Sequence, residues 1–119
     1  MEDLLIDTLE QFGYPIRRQG SLGVQDQYPD HFFTFWNNDS FDASFYDNER
    51  SKTVWDFDLI FYSIDPALTY EMLNQARAAL KEKGFIISGQ GYDVASDEPT
   101  HTGRGMNVKY LRRNEYDGE

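Results

Sequence analysis

Asp56 and Asp58 stand two residues apart in the run TVWDFDLIFY, a spacing that puts both carboxylates on one face of a strand, where they could share a proton or hold a divalent cation. The positions between and around them are large and apolar, so the pair also fits a strand whose other face meets water or a partner, and that reading is favoured. Neither aspartate has a base beside it in the sequence. Downstream, Asp97, Glu98 and His101, with Asp93 before them, offer oxygen and imidazole donors. They are the metal candidates of the chain, but no helical histidine spacing and no thiolate accompanies them, which favours a hydrogen-bonded loop over a metal site. Ser96 lies five residues from His101 without the glycine-flanked turn that exposes a nucleophile. Gly103-Arg104-Gly105 is too short to cradle a phosphate and reads as a turn into the last strand. His31, opening an aromatic run, reads as an edge residue. These residues predict no catalytic centre and no cofactor, so the chain is not expected to be an enzyme.

Aromatic residues form a denser constellation. Tyr28, Phe32, Phe33, Phe35, Trp36, Phe41, Phe45 and Tyr46 fall within twenty residues of chain, and one sheet face can bury about half of them. The rest either complete the core or meet another molecule, and the sequence leaves both explanations standing. The interface candidates are Tyr28, Phe32, Trp36, Phe41 and Tyr46, joined by Tyr92, Asp97, His101 and Arg104 from the polar segment after residue 88. Charge narrows the partners: the net charge is −10, and residues 26–58 carry eight acids against Arg50 and Lys52. Nucleic-acid affinity rests on basic groups that displace counterions, so specific nucleic-acid binding is not expected. Cysteine is absent, which removes disulfides and thiolate chemistry and points weakly to a reducing compartment. No apolar run approaches a membrane span, and Met1-Glu2-Asp3 lacks the basic head of a signal peptide, so a chain that stays off membranes and is not exported by that route is expected.

The elements that must position these residues centre on 53–88. From 54 to 62, Trp55, Phe57, Leu59 and Phe61 alternate with mixed residues, the period of a strand with one core face. Asp65 and Pro66 are a helix start, Thr69, Leu73, Ala76 and Leu80 form a helical stripe, and Gly84 is a stop. A strand at 85–88 follows. Before this unit, 2–12 reads as a short amphipathic helix stopped by Gly13, 16–19 as a weak strand, and 20–30 as a loop. Residues 32–36 and 41–46 read as a hairpin turned by Asn37-Asn38-Asp39-Ser40, with 53–62 as the third strand of a meander. Residues 89–104 have no hydrophobic period and read as a long loop, 106–111 as a final strand, and 113–119 as a fraying tail. The sum is one α+β domain over 1–119, an antiparallel-rich mixed sheet with an N-terminal helix and one long helix packed on it, in the order α-β-β-β-β-α-β-β.

Three stretches, FFTFWNNDS at 32–40, YSIDP at 62–66 and GYDVASDEPTHTGRG at 91–105, resemble the tail completion or tail terminator proteins of long-tailed phages and prophages of Gram-positive bacteria. The resemblance extends over roughly 13–111. It implies an α+β subunit of a ring, commonly of six, that caps the tail tube and joins it to the head connector. The implied partners are further copies of the chain, the tail tube protein and the head connector protein. The implied place is the head–tail junction of the virion, after assembly in the host cytoplasm, and no catalytic residue comes with the role. Two rivals from other classes stay open: an acidic inhibitor that mimics DNA toward a host protein, which regularly spaced surface carboxylates would favour, and a metal-dependent enzyme built on Asp97, Glu98 and His101.

Overall fold

The alternation at 54–62 is the strongest local signal in the chain, and the computed structural model builds its sheet on it. The structure describes residues 2–18, 29–42, 52–87, 89, 91–96 and 100–113. In chain order they form α1 (Glu2–Leu9), a 3₁₀ turn (Glu10–Phe12), β1 (Ile16–Arg18), β2 (His31–Asp42), β3 (Lys52–Ser63), α2 (Pro66–Glu82), β4 (Ile86–Ile87), β5 (Tyr92–Val94) and β6 (Thr102–Arg113). The sheet runs β1-β2-β3-β6-β4, with β5 also paired to β6. All pairs are antiparallel except β1 with β2. The fold is therefore α+β, as the sequence predicts, with β3 and β6 at its centre.

Both helices lie on one face of this sheet. Phe57, Leu59 and Phe61 of β3 are fully buried there, with Phe33 and Phe35 of β2, Met106 and Val108 of β6, Leu5 and Leu9 of α1, and Leu73, Ala76 and Leu80 of α2. Trp55 packs against the same cluster, its ring stacked 6.3 Å from Phe57. The long helix begins as its residues dictate: Asp65 accepts a 3.1 Å hydrogen bond from the Ala67 N–H, and Pro66 takes the first turn. It ends in a Schellman motif, with Phe85 N–H donating to Leu80 C=O and Gly84 N–H to Lys81 C=O, both at 3.0 Å. Gly84 adopts φ +100°, which that motif favours in a residue without a side chain.

Two local expectations are corrected. The polar stretch 37–40 is no turn: β2 runs through it as a single strand, and β3 pairs with it from His31↔Ser63 to Asp42↔Thr53. The register shifts between Asn37 and Asp39, so Asn38 is the extra residue of a β-bulge, and its side chain donates to Asp56 Oδ1 at 3.2 Å. A twelve-residue partner strand overrides the turn preference of four polar residues. Residues 43–46, expected to complete a separate strand, lie outside the described residues. The second correction concerns 89–104. Tyr92–Val94 forms a strand and β6 starts at Thr102, so Gly103-Arg104-Gly105 is strand and not turn. Glycine weakens a strand by itself, but here the missing side chains leave room for rings from the neighbouring strands.

Candidate functional site

The strand alternation that buries one face of the sheet exposes the other. On that second face the register aligns Phe32, Thr34 and Trp36 of β2 with Tyr62, Ile60 and Asp58 of β3, then with Gly103, Gly105 and Asn107 of β6, and finally places Val94 and Tyr92 of β5 at the edge. No helix among the described residues covers it. Trp36 is 48% exposed, Ile86 59%, Tyr92 46% and Leu111 48%. These are four of the large apolar side chains left in water, and all stand on this one face.

Glycine shapes its lower half. A β-carbon at Gly103 would stand 2.6 Å from Tyr62 Cε1, and one at Gly105 would stand 3.1 Å from both Ile60 Cγ1 and Tyr92 Cε1. The bare strand thus lets Tyr62 and Tyr92 lie down across β6. Between Trp36 and Tyr92 a groove of about 450 Å³ opens, lined also by Asn38, Asp58, Ile60 and Val94. The upper half is polar: Asn107 Nδ2 donates to Asp56 Oδ1 at 2.6 Å and to Asp58 Oδ1 at 3.2 Å, while Lys109 Nζ stands 3.7 Å from Asp56 Oδ2 and donates to Asn107 Oδ1. The two aspartates are therefore held apart by an amide and neutralised in part by one ammonium. That is a hydrogen-bonded sheet surface, in which the described partners of the two carboxylates are amides and an ammonium. The Tyr92 hydroxyl is pushed above its usual range by burial and then by the charge of Asp58.

The sequence candidates distribute unevenly over this geometry. Trp36 and Tyr92 wall the groove. Phe32 belongs to the same face but is 1% exposed, its ring stacked on Tyr62 at 5.3 Å and edge-on to His101 at 6.0 Å, so the chain itself covers it. His101 uses both ring nitrogens, Nε2 with Pro29 O at 2.8 Å and Nδ1 with Thr100 Oγ1 at 3.0 Å. His31 is hydrogen-bonded through Nδ1 to Ser63 Oγ at 2.7 Å. Arg104 points to the helix side, where Nη1 meets Asp93 Oδ1 at 2.8 Å and the guanidinium lies 4.2 Å over the Tyr70 ring. The Phe41 backbone pairs with Val54. Tyr28, Tyr46, Asp97 and Glu98 lie outside the described residues, as does the side chain of Phe41. Among the described residues no group of three or more His, Asp or Glu is placed to hold a metal, and no helix is long and apolar enough to cross a membrane.

Sequence reading misses Ile86, Leu111 and the glycine floor. The alternation of Met106, Val108 and Tyr110, carried back through Arg104 and out to Leu111, is the signal that assigns Gly103, Gly105, Asn107, Lys109 and Leu111 to one face.

No protein-family model and no curated protein matches this sequence. Its fold does have a counterpart among solved structures: a chain from the virion of a native gene transfer agent particle superposes with a TM-score of 0.53 over 92% of this chain and 92% of that chain, at 11% sequence identity. At that identity the likeness is one of fold.

Proposed function

We propose that this chain is a structural subunit of a phage-like particle, specifically a tail terminator or head–tail joining protein that assembles into a ring at the end of the tail tube. The observation that carries the reading is the uncovered sheet face, on which Trp36, Ile86, Tyr92 and Leu111 are each about half exposed. A monomer gains nothing by wetting four large apolar groups on one surface, whereas a subunit whose neighbours cover them does. The shared fold of a gene transfer agent virion chain supports the same reading, since the likeness spans nearly all of both chains. A net charge of −10 suits a ring through which DNA passes, because a surface of like charge gives phosphates nothing to displace their counterions. The role places the protein at the head–tail junction, in contact with further copies of itself, the tube protein and the head connector. It asks for no chemistry, and the purified protein is expected to leave phosphoesters, peptides and glycosides intact with or without divalent metal.

Electron cryomicroscopy of particles purified from cells carrying the gene tests the role directly. The chain should appear as a ring at the head-proximal end of the tube, and cells lacking the gene should accumulate unjoined heads and tubes of uncontrolled length. Normal joined particles made without the gene would end this proposal.

A further inference from the structure

The groove between Trp36 and Tyr92 has a composition of its own. Its walls are two half-exposed aromatic rings, on strands that stand three spacings apart, roughly 14 Å at ~4.8 Å per strand. Its floor is Ile60, beside the bare backbone of Gly105, and Asp58 is the one charged residue among the described residues that line it. Asp56, two residues away on the same face, has its charge met by the Lys109 ammonium at 3.7 Å, while Asp58 is met by the Asn107 amide at 3.2 Å. Negative charge thus remains at the foot of an apolar, aromatic slot.

We infer that this groove receives an arginine side chain from a protein other than this chain. A guanidinium is planar, weakly hydrated and attracted to the faces of aromatic rings, and it donates in a fork that a carboxylate accepts. Its three-carbon stem would lie over Ile60 and Val94, with the head against Trp36 and its donors toward Asp58. At about 450 Å³ the groove admits a long side chain together with part of the backbone that carries it. Phosphate or carboxylate ligands are excluded by Asp58. A bare metal ion lacks ligands, since no group of three carboxylates or imidazoles faces the slot among the described residues. The partner is taken to be a different protein because two copies of a −10 chain repel at long range, whereas a basic partner is drawn in. The preference follows from the lining alone, whether or not the chain belongs to a particle.

The probe is a blocked Gly-Arg-Gly peptide added to ¹⁵N-labelled protein, with the Trp36 indole N–H as reporter and the half-buried Trp55 indole as internal reference. The Arg peptide should shift Trp36 saturably and leave Trp55 in place, Gly-Lys-Gly should bind more weakly, and the neutral citrulline peptide should not bind. Asp58→Asn should weaken the Arg peptide about tenfold, the usual cost of losing a charged hydrogen-bond partner. Glu71→Gln, which removes the same charge from an exposed site on α2, should leave binding unchanged. If Asp58→Asn does not fold, Trp36→Ala followed through the Tyr92 ring signals replaces it, with the same loss expected. Equal losses in the Asp58 and Glu71 variants, or equal binding of the citrulline peptide, would overturn the inference. So would a Trp36 signal that moves with protein concentration and ignores the peptide, which would make a second copy the occupant.

Discussion

Tyr62 lies across Gly103, so closely that a β-carbon at residue 103 would come within 2.6 Å of its ring and 2.9 Å of the Val94 carbonyl oxygen. β5, β6 and β3 are thereby locked into one surface at the point where the sequence looks least structured. Gly103→Ala should destabilise the protein by about 1–3 kcal/mol, the range for overpacking a closed site. Gly105→Ala, whose nearest neighbours would stand at 3.1 Å, should cost less. Urea unfolding of both variants measures the difference, and equal midpoints would mean the ring moves aside freely.

Leu73 and Leu80 are 2% and 0% exposed between α2 and the sheet. Truncating either to Ala should cost about 2–5 kcal/mol, as removal of a buried leucine does when its surroundings cannot collapse. Thermal unfolding of each variant checks this, and an unchanged midpoint in both would contradict the packing.

Tyr92 gives the open face a pH dependence on the alkaline side. Its folded pKa is raised, first by burial and second by Asp58, so the folded state holds the phenol proton more tightly than the unfolded chain does. The stability linked to that proton is complete below the unfolded value near 10 and is lost as pH rises through the higher folded value. Wild-type protein should therefore lose more thermal stability between pH 8 and pH 11 than Tyr92→Phe does. Parallel curves for the two would remove Tyr92 as the source.

Self-association should strengthen with salt. Copies with a net charge of −10 repel, and the Debye length falls from ~30 Å at 0.01 M to ~8 Å at physiological ionic strength, so screening permits the apolar faces to approach. Light scattering should find a monomer or weak oligomer at low salt and larger species at high concentration in physiological salt. Leu111→Glu, on the open face at the end away from the Trp36 groove, should suppress the larger species. Assembly that weakens as salt rises would show instead that ion pairs hold the copies together.

The core was legible because its signals are local. Trp55, Phe57, Leu59 and Phe61 alternate, Asp65 and Pro66 mark a helix start, and Gly84 marks a stop, each for a reason contained within a few residues. The open face was only half legible. Trp36 and Tyr92 stand out as surplus aromatics, but the groove they wall depends on pairing between residues 36, 58, 92 and 105, which no stretch of sequence contains. The turn expected at 37–40 fails for the same reason: side chains that favour a turn were outweighed by a ladder of hydrogen bonds to a strand twenty residues away. Gly103 and Gly105, read as a turn into the last strand, lie within it and are small because Tyr62 and Tyr92 need the space.

Asn38 has an evolutionary consequence. Because two residues of β2 oppose one of β3 at this point, Asn37 faces Phe57 and Asp39 faces Asp56, and a chain lacking Asn38 would pair residue for residue along the whole of both strands. Gain or loss of one codon here is absorbed by the backbone without moving any other side chain to the wrong face, whereas the same change elsewhere in β2 would invert every position beyond it. Homologous strands can therefore differ in length at residue 38 and still build the same two surfaces, so their hydrophobic patterns would fall out of step by one beyond that point.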